Sequence, residues 1–203
     1  MTWSDPERVA EYLSREIPHR DLAESMLLAA LPERVDRVLD LGTGDGRLIA
    51  LVRGAHHDVE GIGLDSSQAM LDRAVERFAA DAATELRLHD LRDPLPDLGQ
   101  FDAIVSGLAI HHLEDERKRQ LFAEVRRHLT PGGVFANLDL VTAATPELHE
   151  RFRREIGRPE DDPADRLADL GDQLDWLRAA GFAAVECHFK WLLLTLVVGT
   201  APE

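Results

Sequence analysis

The sequence contains a single cysteine, and this scarcity excludes two kinds of structural site. Cys187 cannot form an intramolecular disulfide, and there is no cysteine cluster of the kind that a structural zinc ion requires. Long apolar runs are also absent, because the most hydrophobic segment, 191–198, is far too short to cross a bilayer. Residues 1–20 are rich in charge and do not resemble a signal peptide. We therefore expect a cytoplasmic protein that does not span a membrane.

Basic residues are scarce relative to acidic ones. The chain has 23 Lys and Arg against 38 Asp and Glu, which gives a formal net charge of −15. This charge repels a phosphate backbone, so nucleic acid is disfavoured as a partner. A local basic cluster is formed by Arg117, Lys118, Arg119, Arg126 and Arg127. Acidic residues surround it, which predicts a solvated helix face rather than a binding patch.

Length and composition fit a single domain over residues 1–203. The chain is 44% hydrophobic and 30% charged, which is ordinary for a globular protein with one sizeable core.

Two helices are predicted before residue 32, and the first has apolar residues at a spacing of four: Val9, Leu13 and Ile17. The second, 21–31, has an apolar side formed by Leu22, Met26 and Ala29 or Ala30. We expect a monomer or a homodimer.

From residue 37 onward, short β-like runs alternate with amphipathic helical runs. The β-like runs are RVLDLG, DVEGIGLD, ELRLHD, FDAIVSG and VFANLDLV. This alternation predicts five parallel strands connected by helices. The final segment, FAAVECHFKWLLLTLVVGT, predicts an antiparallel hairpin at the sheet edge that turns near Lys190. The expected fold class is α/β, with a Rossmann-like, seven-stranded, mostly parallel sheet and helices on both faces.

Three glycines follow the first predicted strand at alternate positions. The strand ends in Asp40, and Gly42, Gly44 and Gly46 come directly after it. A ligand lying across the carboxyl edge of a parallel sheet contacts backbone at this turn, and glycine removes side chains that would block it. The spacing G-x-G-x-G departs from the pyrophosphate-binding fingerprint. A carboxylate beside the turn opposes a pyrophosphate but suits a ligand with an ammonium or sulfonium centre.

Acidic residues also follow the second and third predicted strands. Asp65 lies about 20 residues after Gly46, the distance at which a carboxylate accepts hydrogen bonds from a ribose diol in dinucleotide sites. Asp90 follows the third strand, where it could accept a hydrogen bond from an adenine amino group. Three consecutive strands are thus followed by a carboxylate at one edge of the sheet.

These motifs resemble those of class I S-adenosylmethionine-dependent methyltransferases, from about Val35 to the C-terminus. The matching segments are DLGTGDG, GLDSSQAML, HDL, FDAIVSGLAIHHL and LTPGGVFANLD. LTPGGVFANLD and the C-terminal helix and hairpin are similar to the corresponding segments of the branch that includes quinone-biosynthesis methyltransferases. The resemblance implies that S-adenosylmethionine is the cofactor and that its methyl group passes to an oxygen, nitrogen or carbon atom of a small molecule.

The resemblance also implies a set of cofactor-binding positions. The methionine part would be lined by Asp40, Gly42, Thr43, Gly44 and Gly46. The ribose and adenine would be held by Asp65, Ser66, Met70, Asp90 and Leu91, with Asp65 on the ribose hydroxyls. The residues nearest the transferred methyl would be Ser106 and Leu108, just after the fourth strand.

His111 and His112 are the candidate catalytic residues, because a histidine after the fourth strand could take a proton from the acceptor. The alternatives are that they pack or bind backbone, and that alignment of the acceptor suffices without a base. The other histidines show no spacing that indicates metal ligation: His19, His56, His57, His89, His128 and His188. We therefore expect no metal site.

Acceptor selection is expected from two segments, 1–31 and 142–168. Trp3 and Tyr12 in the first could belong to a lid, and His149 and Arg153 in the second share a helix face that could bind an acidic substrate. The alternative for both pairs is ordinary packing or solvation. Asp139, at the end of the fifth strand, could bind either the neighbouring loop or the substrate.

Three other functions stay open at this stage. A regulatory or scaffold protein would bind the cofactor without turnover, although the intact glycine and acidic positions disfavour it. A relative with the same pocket could catalyse a different reaction. A dehydrogenase is disfavoured by the G-x-G-x-G spacing after Asp40.

Overall fold

The computed structural model describes residues 9, 13–14, 16–157, 160 and 162–203. Trp3, Tyr12 and most of the predicted first helix lie outside these residues, so the lid hypothesis stays a prediction. No helix among the described residues is both long enough and apolar enough to cross a membrane.

Seven strands form one sheet in the order β3-β2-β1-β4-β5-β7-β6. The strands are β1 Arg37–Leu41, β2 Glu60–Asp65, β3 Thr84–Leu88, β4 Phe101–Gly107, β5 Leu129–Leu140, β6 Ala183–Trp191 and β7 Leu194–Thr200. Strands β1 to β5 are parallel, and β7 pairs antiparallel with both β5 and β6. The strand order reverses next to β1, which is where ligands bind in open α/β sheets. The predicted fold class is confirmed.

Helices cover both faces of the sheet. They are α1 Arg20–Ala30, α2 Arg47–Ala55, α3 Gln68–Arg77, α4 Asp115–Arg127, α5 Pro146–Glu155 and α6 Leu170–Ala179, with a 3-10 turn at Ile110–His112. Alternate residues of β1 enter different cores, because Val38 packs with α1 and α2 whereas Leu39 packs with α4 and α6. Gly181 follows the end of α6 and has a φ of +90°.

The apolar side predicted for α1 is correct for Met26 and Ala30, which pack against the core, and wrong for Leu22. Leu22 is 53% exposed, whereas Ala23 and Leu27 are fully buried. Glu24 is also buried, because it forms ion pairs with Arg20 and Arg47. These ion pairs fix the rotation of the helix, and apolar spacing alone could not reveal them.

The solvated basic face predicted for α4 is wrong for two of its residues. Arg117 is buried and donates to both oxygens of Glu124, at 2.7 Å each. Lys118 is buried and donates to Asp115 and to the backbone carbonyl of Arg166. These side chains connect α4 to neighbouring loops instead of facing water.

The C-terminal hairpin turns at Leu192–Leu193 rather than near Lys190. Trp191 pairs with Leu194, so a two-residue loop connects β6 to β7, and Leu192 has a φ of +52°. The hairpin occupies the sheet edge as predicted, with β6 outermost.

Candidate cofactor site

The three glycines after β1 do not share one purpose. All have positive φ, at +73° for Gly42, +54° for Gly44 and +81° for Gly46. A Cβ on Gly42 would overlap Cβ of Ala109, and one on Gly46 would overlap the ring of Phe78. Only at Gly44 would a Cβ meet nothing within 4 Å. Gly42 and Gly46 therefore allow close packing of the chain on itself, and the interpretation that a glycine clears space for a ligand stays a prediction for Gly44.

A cavity of about 540 Å³ lies beside this loop. One wall is formed by the end of β1 and the glycine loop: Asp40, Gly42, Thr43, Gly44 and Asp45. The remaining lining residues are Arg47, Leu48 and Gly107, together with several residues between 13 and 21. Its volume falls within the range of small-molecule and cofactor pockets.

Asp40 places a buried carboxylate in the cavity wall. Its Oδ2 accepts a hydrogen bond of 2.7 Å from Thr43 Oγ1, whereas its Oδ1 is buried without a hydrogen-bond partner among the described residues. Burial raises the pKa of Asp40 to about 7, although the bond from Thr43 acts in the opposite direction. A ligand cation would satisfy this oxygen, so the residue fits an ammonium or sulfonium group.

Asp65 connects the end of β2 to the glycine loop. Its two oxygens accept backbone hydrogen bonds of 2.8 Å, from Gly44 N and from Ser67 N. Burial raises its pKa above the usual range, although the amides lower it in part. At the start of α3, Ser66 is exposed and Met70 is buried. The cofactor roles of these residues remain predictions.

Asp90 and Leu91 lie beyond the end of β3. Arg92 pairs with the Asp90 carboxylate through its Nε at 2.9 Å, and this pairing lowers the pKa of Asp90. An adenine amino group would have to share this carboxylate with Arg92. Leu91 is buried, and its carbonyl accepts a hydrogen bond of 2.7 Å from Arg117.

Ser106 lies within β4 rather than after it. Its side chain is fully buried and donates a hydrogen bond of 2.8 Å to the carbonyl of Leu41. Leu108 has a φ of +56°, and its amide donates to Leu138 O at 2.9 Å. The next residue, Ala109, is the one that packs on Gly42.

An ion-pair network beside the cavity was not predicted from the sequence. Arg47 donates to both oxygens of Glu24, at 2.6 to 3.0 Å, and Arg20 Nε donates to Glu24 at 2.7 Å. Burial raises the pKa of Glu24, but the bonds from Arg47 and Arg20 outweigh it and lower the pKa. Arg20, Asp21 and Arg47 also line the cavity. No local motif connects residues 23 positions apart, so the sequence gives no signal for this pairing.

His111 and His112 lie in the 3-10 turn after β4. Asp139 Oδ1 lies 2.5 Å from His111 Nδ1, and Asp139 Oδ2 accepts a 2.8 Å bond from the His111 amide. The structure therefore places Asp139 on the loop, one of the two roles left open. Burial lowers the pKa of His111, but Asp139 outweighs it and the net pKa is raised. Burial and the neighbouring His111 lower the pKa of His112 to about 4.

The segment 142–168 brings a further carboxylate to the histidines. Asp165 Oδ1 is 3.5 Å from His111 Nε2 and 3.5 Å from His112 Nδ1. Arg153 is buried, with its Nη1 4.0 Å from Asp165 Oδ2, and His149 Nδ1 accepts a 3.5 Å bond from Ala143 N. His149 and Arg153 lie four residues apart on α5, as the shared helix face requires. The solvated alternative is wrong for Arg153, which is buried near Asp165, and binding of an acidic substrate stays a prediction.

The fold is a Rossmann-like domain, and a cavity lies beside the loop after β1. A family model described as a methyltransferase domain matches residues 38–133. An uncharacterized methyltransferase of Synechocystis is 32% identical over 155 residues, which cover 75% of this chain and 69% of the relative. The chain therefore belongs to the S-adenosylmethionine-dependent methyltransferase family.

Two further proteins resemble this chain, one in sequence over part of its length and one in fold. An uncharacterized methyltransferase of Mycobacterium tuberculosis is 36% identical over 125 residues, which cover 62% of this chain and 59% of the relative. The chain thus matches less than two thirds of that relative's length. Human N-acetylserotonin methyltransferase in complex with S-adenosylmethionine has the same fold, with a TM-score of 0.71 and 14% identity, covering 99% of this chain and 58% of the human one.

Proposed function

We propose that this chain transfers a methyl group from S-adenosylmethionine to an oxygen, nitrogen or carbon nucleophile of a small molecule. The observation that carries the proposal is the cavity beside Gly44, whose wall contains the buried Oδ1 of Asp40 without a hydrogen-bond partner among the described residues. When bound, the cofactor supplies a methyl group activated by its sulfonium charge. Family membership supports the proposal, and the finer quinone-biosynthesis-like assignment rests on sequence resemblance alone.

The side chains divide the task of holding the cofactor. Asp40 would accept from the ammonium group, and Asp65 from the ribose hydroxyls while it keeps its bonds to the Gly44 and Ser67 amides. A carboxylate oxygen has two lone pairs, so each oxygen of Asp65 can serve an amide and a hydroxyl together. Gly44 leaves the backbone free for close contact.

The acceptor would approach from the segments 1–31 and 142–168, as the sequence analysis expects. From the first segment, Ile17, Pro18 and Arg20 line the cavity, whereas the residues that line it include none from 142–168 among those the structure describes. Orientation of the acceptor and exclusion of water would be the main contributions to rate. A general base at His111 or His112 stays a hypothesis.

A small-molecule acceptor is supported by the charge of the chain. The formal net charge of −15 disfavours nucleic acid, and the cavity itself contains Asp40, Asp45 and Asp21. Arg20 and Arg47 also line the cavity, so an acceptor would meet groups of both charges at this site.

The test is transfer of labelled methyl from S-adenosylmethionine to pools of small metabolites, followed by identification of the product. Transfer that Asp40→Asn and Asp65→Asn both reduce, while Asp102→Asn leaves it unchanged, would support the proposal. Asp102 is a suitable control because its Oδ2 also accepts two backbone amides, at 2.9 and 3.0 Å, and it lies at the start of β4, away from the carboxyl ends of the parallel strands. Cofactor binding without transfer to any pool would favour the scaffold alternative.

A further inference from the structure

The fold places two histidines and one aspartate from distant segments around a common point. His111, His112 and Asp165 each offer one ligand atom, and these atoms lie within 4.8 Å of one another. We infer that these three residues form a binding site for a divalent transition-metal ion. The inference goes beyond methyl transfer, and its central test does not depend on that activity.

The distances suit ligands of one ion. Asp165 Oδ1 lies 3.5 Å from His111 Nε2 and 3.5 Å from His112 Nδ1. Two ligands at about 2.1 Å from a tetrahedral ion are roughly 3.4 Å apart. Both Asp165 distances already match this separation, and the two histidine nitrogens, which lie within 4.8 Å of each other, would approach further around the ion. The His112 contact of 3.3 Å with the Ala164 carbonyl would be given up.

The donor set is typical of metal sites with open coordination positions. Two imidazoles and one carboxylate bind zinc in metallohydrolases and ferrous iron in oxygenases, and the remaining positions are left for water or substrate. His112 and Asp165 are partly exposed, which leaves a route for the ion, whereas His111 is buried.

An independent feature is the hydrogen bond on the far side of His111. Its Nδ1 lies 2.5 Å from Asp139 Oδ1, so its Nε2 is directed toward Asp165. Metal-binding histidines usually donate their second ring nitrogen to a carboxylate in this way, which fixes the tautomer and ring orientation. Asp139 is itself held by the amides of His111 and Leu140, each at 2.8 Å.

The loop that carries Asp165 is fixed against the histidine turn. The Arg166 amide donates to His111 O at 2.8 Å, and Lys118 donates to Arg166 O. Arg153 lies near the other oxygen of Asp165, at 4.0 Å. Asp139 and Asp165 supply two negative charges for the ion, and the cations Arg153 and Lys118 partly balance them.

The site lies close in sequence to the cavity wall, because His111 is two residues beyond Ala109, which packs on Gly42. None of the three ligands is among the residues that line the cavity. As metal ligands the histidines would not act as general bases in the proposed methyl transfer.

The test is titration of the full chain, without a histidine tag and after treatment with a chelator, with Co²⁺ and then with Zn²⁺. Visible ligand-field absorption by Co²⁺ reports coordination by nitrogen and oxygen, and calorimetry with Zn²⁺ gives the stoichiometry. We expect one equivalent, lost in both His112→Gln and Asp165→Asn, and weakened about 10- to 100-fold in Asp139→Asn.

The matched control is the double variant His56→Gln/His57→Gln, which removes the other adjacent histidine pair. It should bind like the wild type, and circular dichroism with thermal unfolding should show that every variant is folded. Absence of cobalt absorption in the wild type, or absorption that persists in both His112→Gln and Asp165→Asn, would overturn the assignment. Neither readout needs the cofactor or an acceptor, so failure here is distinct from failure of the methyltransferase proposal.

Discussion

The carboxylate of Asp65 accepts a hydrogen bond of 2.8 Å from the amide of Gly44. Asp65 ends β2 and Gly44 lies in the loop after β1, so this bond fixes the relative position of the two motifs that the sequence assigns to the cofactor. A change in either residue should therefore affect the same site.

Gly44→Ala should weaken cofactor binding more than it weakens the fold. Its φ of +54° costs an L-residue about 1–2 kcal/mol, but the new Cβ meets no atom of the described residues within 4 Å. It would instead project into open space at the ligand site. Urea unfolding and calorimetry with S-adenosylhomocysteine measure the two effects separately.

Gly181→Ala is the matched control for this prediction. Gly181 also has a positive φ, +90°, with nothing within 4 Å, but it precedes β6 at the other edge of the sheet. It should lose a similar amount of stability and keep its affinity. Equal affinity losses in both variants would show that Gly44 has no special relation to the ligand.

Gly42→Ala should destabilise the protein itself, by about 2–5 kcal/mol, because backbone strain and overlap with Ala109 act together. Adding Ala109→Gly removes the overlapping Cβ and should restore part of the loss. Unfolding free energies of the two single variants and the double variant give the coupling. Purely additive effects would contradict direct packing of Gly42 on Ala109.

The glycine motif illustrates what the sequence could and could not predict. Its spacing identified the loop and the adjoining Asp40, because backbone conformation and strand ends follow local rules. It could not show that Gly42 and Gly46 face Ala109 and Phe78, since those contacts come from segments distant in the chain. The same limit applies to Glu24 with Arg47 and to Asp165 with His111 and His112.

Asp40 should make both stability and ligand affinity depend on pH. Burial raises its pKa from 3.8 to about 7, so the folded state retains the proton longer than the unfolded chain. Stability from this group is full below pH 3.8 and is lost as pH rises toward 7. Urea unfolding at several pH values should show Asp40→Asn gaining stability relative to the wild type over this range and levelling off above it.

A cationic ligand group reverses the preference of Asp40, because it favours the ionised carboxylate. Affinity for S-adenosylhomocysteine should therefore rise through pH 7 in the wild type, with release of a proton, and stay low and flat in Asp40→Asn. Calorimetry in buffers of different ionisation enthalpy detects the proton. A wild-type affinity that does not change across this range would exclude contact between Asp40 and the ammonium group.

Glu24→Gln should loosen α1 from α2. Breaking a fully buried pair costs about 3–5 kcal/mol, but the Arg47 side chain is 40% exposed, and we expect roughly 1–2 kcal/mol at pH 7. The pKa of Glu24 in the folded state is lowered, so this stability is present above the ordinary glutamate pKa of 4.5 and is lost as pH falls below it. The difference in unfolding free energy between Glu24→Gln and the wild type, measured with urea, should therefore shrink as pH falls.

Glu85→Gln is the control for Glu24, because Glu85 pairs with Arg87 on the exposed surface at 2.6 Å. An exposed pair of this kind contributes less than about 1 kcal/mol. Equal losses at pH 7 in the two variants would contradict a special role for the Glu24 network.

Calorimetric titration with S-adenosylhomocysteine of the wild type, Asp65→Asn and Asp102→Asn, with NAD as a second ligand, tests the central claim most directly. We predict binding of one equivalent to the wild type, a loss of about 10- to 100-fold in Asp65→Asn, wild-type affinity in Asp102→Asn and no response to NAD. Absence of S-adenosylhomocysteine binding to the folded wild type, or unchanged affinity in Asp65→Asn, would contradict the account.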